Sequence, residues 1–160
     1  MIQNGSNQID AKANFKINYI LFGSLLTGLI FFMLMVYFGF TNNVVEADES
    51  LLNVFMFVVP VFAIMEIFLS RFMYNKFVKK LPEDSSLLEK LGKYRTAKII
   101  SWALLEGAGL FTIIAFILTR SNFFLIVFFV IIIAFVLSKP SIDEFLNDFK
   151  IEGNERNELI

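Results

Sequence analysis

The sequence contains no histidine and no cysteine. Their absence excludes disulfides, thiolate chemistry and zinc sites of the His/Cys type. Any proton or cation chemistry then falls to Asp, Glu, Lys, Arg, Tyr, the backbone or water. Charge is scarce too: 18% of the 160 residues are Asp, Glu, Lys or Arg, against about a quarter in an ordinary soluble domain. The net charge of -1 leaves no basic footprint for nucleic acid, which is not expected as a partner. Proline occurs three times. The residues form no nucleophile–base set, metal cluster or glycine-rich cofactor motif. No catalytic residue, metal or cofactor is therefore expected, and the chain reads as a non-enzyme.

Apolar residues are what the chain has in quantity. They make up 57% of it, and Phe alone occurs 21 times; the mean hydropathy is +0.69. They collect in four blocks, at about residues 17–40, 51–72, 99–118 and 121–138. Crossing a bilayer takes about 20 apolar residues. The fourth block reaches that length only if Ser121, Asn122 and Ser138 are counted and its ends snorkel. The blocks are continuous rather than alternating, which excludes exposed barrel strands. The expected fold class is all-α: a polytopic membrane protein with four transmembrane helices over 17–138, plus short amphipathic cytoplasmic helices. The first run is too long for a cleaved signal peptide, and no small-x-small site closes it.

Lys and Arg near span ends set orientation. The polar tail 1–16 carries Lys12 and Lys16. From Arg71 through the loop 73–98, eight bases face three acids, a net of +5. The first connection has Glu46, Asp48 and Glu49 and no base, and the last has Arg120 alone. Both termini and the middle loop are thus predicted to be cytoplasmic. Tyr19, Tyr74, Tyr94 and Trp102 fall near the same ends, where amphipathic rings favour the interface. Ser86 with Glu89 forms a capping-box pattern. Leu87, Leu88 and Leu91 then predict a short helix at the interface. In the tail 139–160, Ser141 and Glu144 repeat the capping pattern. Ile142, Phe145, Leu146 and Phe149 give an amphipathic helix, lying on the membrane or on the bundle's cytoplasmic end. Pro60 is expected to kink the second span or free a carbonyl. Gly23, Ser24, Thr27 and Gly28 form a small-residue strip, read as a packing seam with a ligand-facing groove as the alternative.

Two carboxylates interrupt the apolar blocks, and such groups are paired, protonated or functional. Glu66 lies five residues before Arg71, and Glu106 eight after Lys98. At 1.5 Å per residue those offsets are roughly 7 and 12 Å, a similar depth in the inner half of the membrane. The two are the candidate proton- or ion-binding residues. They would share a proton, since close like charges force one pKa upward, or hold a cation between them. Alternatively they are protonated structural locks, or contacts for a partner or lipid headgroup. No base lies at matching depth in this chain. Ser101, Ser24 and Thr27 are candidate hydroxyl partners. Gly107 and Gly109, with Ala103 and Ala108, would let a backbone approach Glu106 closely.

The run Ala103-Leu-Leu-Glu106-Gly-Ala-Gly-Leu-Phe111, continued by Ile113-Ile-Ala-Phe-Ile-Leu118, resembles the carboxylate-bearing helix of the rotor (c) subunit of rotary ATP synthases. The likeness covers residues 103–118. It implies a hairpin with a cytoplasmic loop and a carboxylate at Glu106 that carries a proton or sodium ion. Residues 51–72 lack the family's glycine-repeat helix, and Lys79-Lys80-Leu81-Pro82 stands where the family has its polar loop motif.

The primary expectation is a small structural or accessory subunit of a membrane complex with buried protonatable carboxylates. The alternatives are an oligomeric proton- or cation-translocating component acting through Glu106 and Glu66, and a lipid-handling membrane protein. The expected partners are membrane lipids and further copies or subunits. The expected location is a multi-pass position in a prokaryotic inner membrane.

Overall fold

A computed structural model describes residues 3–40, 49–79 and 85–151, with the side chains at 3–12, 14, 40 and 49 excepted. Glu46, Asp48, Pro82 and the polar end beyond Ile151 lie outside the described residues. The chain forms α1 (Gln3–Phe40), α2 (Glu49–Val78), α3 (Leu87–Thr119), α4 (Phe123–Leu137) and α5 (Ile142–Asp148). Helix is what continuous apolar sequence must adopt in hydrocarbon, where each backbone group needs a partner within its own segment. Phe15–Gly39, Ser50–Val78 and Leu87–Thr119 are each long and apolar enough to cross a membrane. α4 has 15 residues; at 1.5 Å each it is about 22 Å long, shorter than the roughly 30 Å of hydrocarbon. α5 follows across a 67° bend, and only if the bent pair is counted as one element is it long and apolar enough for a fourth crossing. The protein is therefore an all-α polytopic membrane bundle with three uninterrupted spans, and up to four if the bent pair is one span.

The helices outrun the apolar blocks, which corrects several expectations. α1 already begins at Gln3, ahead of the first apolar block. α2 carries Pro60 within it and continues past the second apolar block to Val78. The short interfacial helix expected after Ser86 does not exist as such: it is the first turns of α3, continuous with the third span. Its capping box is present, with Ser86 Oγ accepting from the Glu89 N–H and the Glu89 carboxylate accepting from the Ser86 N–H. At Ser141 the second capping box does not form. Glu144 turns instead toward α3, where a cation outcompetes a capping N–H.

α3 is the central helix. Half of its most apolar window is buried, against 22% for α1 and 17% for α2, and it packs on α1, α2 and α4. α1 runs parallel to it: Phe22 meets Trp102 and Leu29 lies over Gly109, a constant offset of 80 residues. α2 runs antiparallel to it, pairing Ser70 with Ser101 and Ala63 with Ala108. The outer surface presents Phe31, Phe38, Phe57, Phe68 and Leu137. In a bilayer that apolar surface faces lipid, whereas in water it would be an aggregation patch. The strip expected as a seam is not one within the bundle: Ser24, Thr27 and Gly28 are exposed. Phe22 and Leu29, which flank the strip in sequence, make the contact instead, because bulky apolar side chains fill the space between α1 and α3.

Among the described residues, Gly109 is the one glycine where close approach is structural. A Cβ there would lie 2.6 Å from Leu29 Cδ2 and 3.0 Å from Cδ1, and Leu29 is itself buried. We predict that Gly109→Ala destabilises the bundle by about 1 kcal/mol, the overpacking outweighing the gain in helix propensity. Combined with Leu29→Ala, the loss in thermal stability should be smaller than the sum of the single losses, because each change makes room for the other.

Candidate functional site

The two intramembrane carboxylates stand at the same level, as their offsets from Arg71 and Lys98 predict. The register that pairs Ser70 with Ser101 puts Glu66 opposite Leu105, next in sequence to Glu106. Their surroundings differ. Glu66 lies on the buried stripe Val59, Ala63, Glu66, Ser70, Tyr74, and is itself buried. Its Oε2 has no hydrogen-bond partner among the described residues. Glu106 is half-buried, between exposed Ala103 and Gly107. No hydrogen bond joins the two carboxylates among the described residues.

The other candidates divide between inside and outside. Ser101 is buried, and its hydroxyl is bonded to that of Ser70 at 2.6 Å. Gly109 and Ala108 face the core, Gly109 against Leu29. Gly107 faces out, with nothing within 4 Å of where a Cβ would stand. Ser24 and Thr27 are exposed on α1. By the 80-residue offset, Thr27 stands level with Gly107.

The densest polar constellation lies two turns from Glu106, around residues that in sequence serve only as orientation markers and interface anchors. Lys98 is 3% exposed. Its ammonium donates to Glu144 Oε2 at 2.6 Å and to the Ser138 carbonyl at 3.2 Å, and lies over the Tyr74 ring at 4.6 Å. The three donors of an ammonium are thus directed at a carboxylate, a carbonyl and a π-face. Trp102 Nε1 donates to the same Ser138 carbonyl at 3.2 Å. That carbonyl caps α4, where the helix end is electronegative and a cation is favourable. Tyr94 donates to Glu144 Oε2 at 3.0 Å and accepts from the Ser141 N–H at 3.1 Å. Tyr74 donates to Asp148 Oδ2 at 2.6 Å.

These bonds fasten α5 across the end of the bundle. Phe145 and Leu146 are buried against Phe15, Tyr74 and Tyr94. Tyr74, Tyr94 and Trp102 are therefore interior side chains, not rings at the lipid boundary. α5 covers the two tyrosines, and Phe22 and α4 enclose the indole. Only Tyr19 keeps the exposed position expected of an interface ring. On the α1 side, Arg95 Nε donates to the buried Asn18 Oδ1 at 3.0 Å.

Part of this cluster leaves a trace in sequence. Leu87, Leu91, Tyr94, Lys98, Ser101 and Leu105 keep one i+3/i+4 phase from the polar segment into the third span. One helix carrying one buried stripe across that boundary explains the pattern. The partners Ser138, Glu144 and Asp148 carry no comparable signal. Compared with known protein families, curated proteins and solved structures, the chain matches none of them.

Proposed function

We propose that this protein is a non-catalytic accessory subunit of a membrane complex. In this reading a transmembrane helix of a partner packs on the Ala103–Glu106–Gly107 face of α3. The observation that carries it is Glu106: a half-exposed carboxyl within an apolar span, without a hydrogen-bond partner among the described residues. Such a group is costly against lipid and is stabilised by a polar contact from a neighbouring helix. Ala103 and Gly107 are four apart and exposed, the spacing that lets two helix backbones approach. The basic residues near one end of the bundle support a multi-pass orientation with that end in the cytoplasm.

The test is gentle extraction from the native membrane followed by native mass measurement. The wild type should emerge with a stoichiometric partner or second copy. Gly107→Leu should weaken that association about tenfold, by closing the approach, and shift the population toward the 18.4 kDa monomer. Glu106→Gln, which keeps a hydrogen bond, should retain the partner. A wild type that emerges alone would overturn the proposal.

A second reading, a proton- or cation-binding component, draws on Glu66 and its buried, unpartnered Oε2. The likeness of residues 103–118 to a rotor helix supports the same reading. Proteoliposomes separate the two: the accessory reading expects ion leak equal to that of empty vesicles, and the transport reading expects a flux that Glu66→Gln or Glu106→Gln abolishes.

A further inference from the structure

Beside the Lys98 cluster, between α2, α3 and α4, opens a cleft of about 140 Å³. One water occupies about 30 Å³ of the liquid, so the space admits a group considerably larger than a water. Its wall changes character along the bundle axis. The end nearest the polar segment carries Tyr74, Lys98 and Glu144, and about one turn deeper Arg71 lies next to Ser70, which pairs with Ser101. The inner wall is apolar, formed by Ile67, Leu105 and Ala134, while Leu137 lines the side of the cleft next to Ser138. Leu137 is 75% exposed, so the cleft opens sideways onto the lipid-facing surface there.

The charges in the cleft do not balance. Arg71 and Lys98 bring two cations, and Glu144 one carboxylate. Glu144 is held by Lys98 and Tyr94. The Arg71 side chain is exposed and makes no hydrogen bond or ion pair among the described residues, and its charge repels that of Lys98. Like charges sharing a partly desolvated site raise its energy, and a bound anion relieves them. A guanidinium offers a planar fork matched to phosphate oxygens. Arg71 ends the second apolar block and Lys98 precedes the third, which sets both at headgroup depth.

The geometry points to a binding site for a singly charged phosphate diester: the phosphate lies on Arg71 beside Lys98, and the attached hydrocarbon runs along Ile67, Leu105 and Leu137. A membrane lipid supplies both parts. A free phosphate would supply only the first.

The test uses the purified full chain in neutral detergent, titrated with phosphatidylglycerol, phosphatidylcholine or inorganic phosphate while the melting temperature is followed. Phosphatidylglycerol should raise it in the wild type. Phosphatidylcholine, whose added cation opposes Arg71, should do so less, and inorganic phosphate not at all. Arg71→Ala should require about tenfold more phosphatidylglycerol for the same shift, as expected for loss of a charge-assisted hydrogen bond. Lys76→Ala, an exposed cation outside the cleft wall, should titrate like the wild type. Coincident titrations of Arg71→Ala and wild type overturn the site. So does an equal loss in Lys76→Ala, which would reduce the effect to general surface charge. Inorganic phosphate as effective as the lipid overturns the lipid assignment in favour of free phosphate.

Discussion

Trp102→Ala is expected to lower stability by about 3–5 kcal/mol, the range for truncating a large buried aromatic. Trp102 is fully buried at the point where three helices meet. Its ring lies 5.5 Å from that of Phe22 on α1, and Phe22 lies 5.7 Å from Phe135 on α4. The indole N–H meanwhile holds the Ser138 carbonyl at the end of α4. Alanine would leave a cavity shared by α1, α3 and α4, and three packed helices cannot all close on it. Trp102→Phe separates packing from hydrogen bonding. It keeps most of the ring and leaves the carbonyl to Lys98, so its loss should be about 1 kcal/mol. Circular dichroism on heating in detergent is the suitable measurement, since Trp102 is the chain's only tryptophan and fluorescence would vanish with it. Equal melting of the alanine and phenylalanine variants would show that burial of the ring is not what holds this junction.

The contrast between Trp102 and Glu106 shows what the sequence makes legible. Continuous apolar runs near 20 residues specify the spans, because lipid admits almost no other conformation for them. The common depth of Glu66 and Glu106 comes from counting residues to the nearest bases, since rise per residue is constant. Which way each side chain faces does not come from that count. One residue turns a helix by about 100°, so Leu105 enters the core while Glu106, next to it, is half-buried. The packing partner decides that phase, and α1 reaches α3 through Phe22 and Leu29 rather than through the small residues between them. The Lys98 cluster is hidden for a related reason. A lysine at a span boundary reads as an orientation signal, and only the fold of α5 back over the bundle turns it into a buried ion pair. That fold depends on the bend at Ser138–Ser141, where Lys139-Pro140 ends the helix as expected but leaves the direction of α5 open.

The Lys98–Glu144 pair should respond asymmetrically to its two truncations. The Lys98 side chain is 4% exposed and that of Glu144 32%. Glu144→Ala leaves a nearly buried ammonium with neutral partners, the Ser138 carbonyl and the Tyr74 ring, in place of its ion pair. Loss of one partner of a fully buried pair costs about 3–5 kcal/mol, and the partial exposure of Glu144 brings the expected figure to about 2–3. Lys98→Met strands a carboxylate that already reaches solvent and keeps its bond from Tyr94, so its loss should be smaller, about 1 kcal/mol. Lys98→Met with Glu144→Leu removes both charges and replaces them by apolar groups, which is often close to neutral. The double variant should therefore be more stable than Glu144→Ala alone. The local consequence falls on α5. Seven residues form no stable helix by themselves, and this one is held by Glu144, by the Tyr74–Asp148 bond and by buried Phe145 and Leu146. In Glu144→Ala, amide hydrogen exchange should accelerate in α5 before it changes in α2 or α3. In the double variant it should return toward the wild-type rate. Exchange that accelerates uniformly along the chain would instead mean that the pair supports the whole bundle and that α5 is docked by its apolar side chains alone.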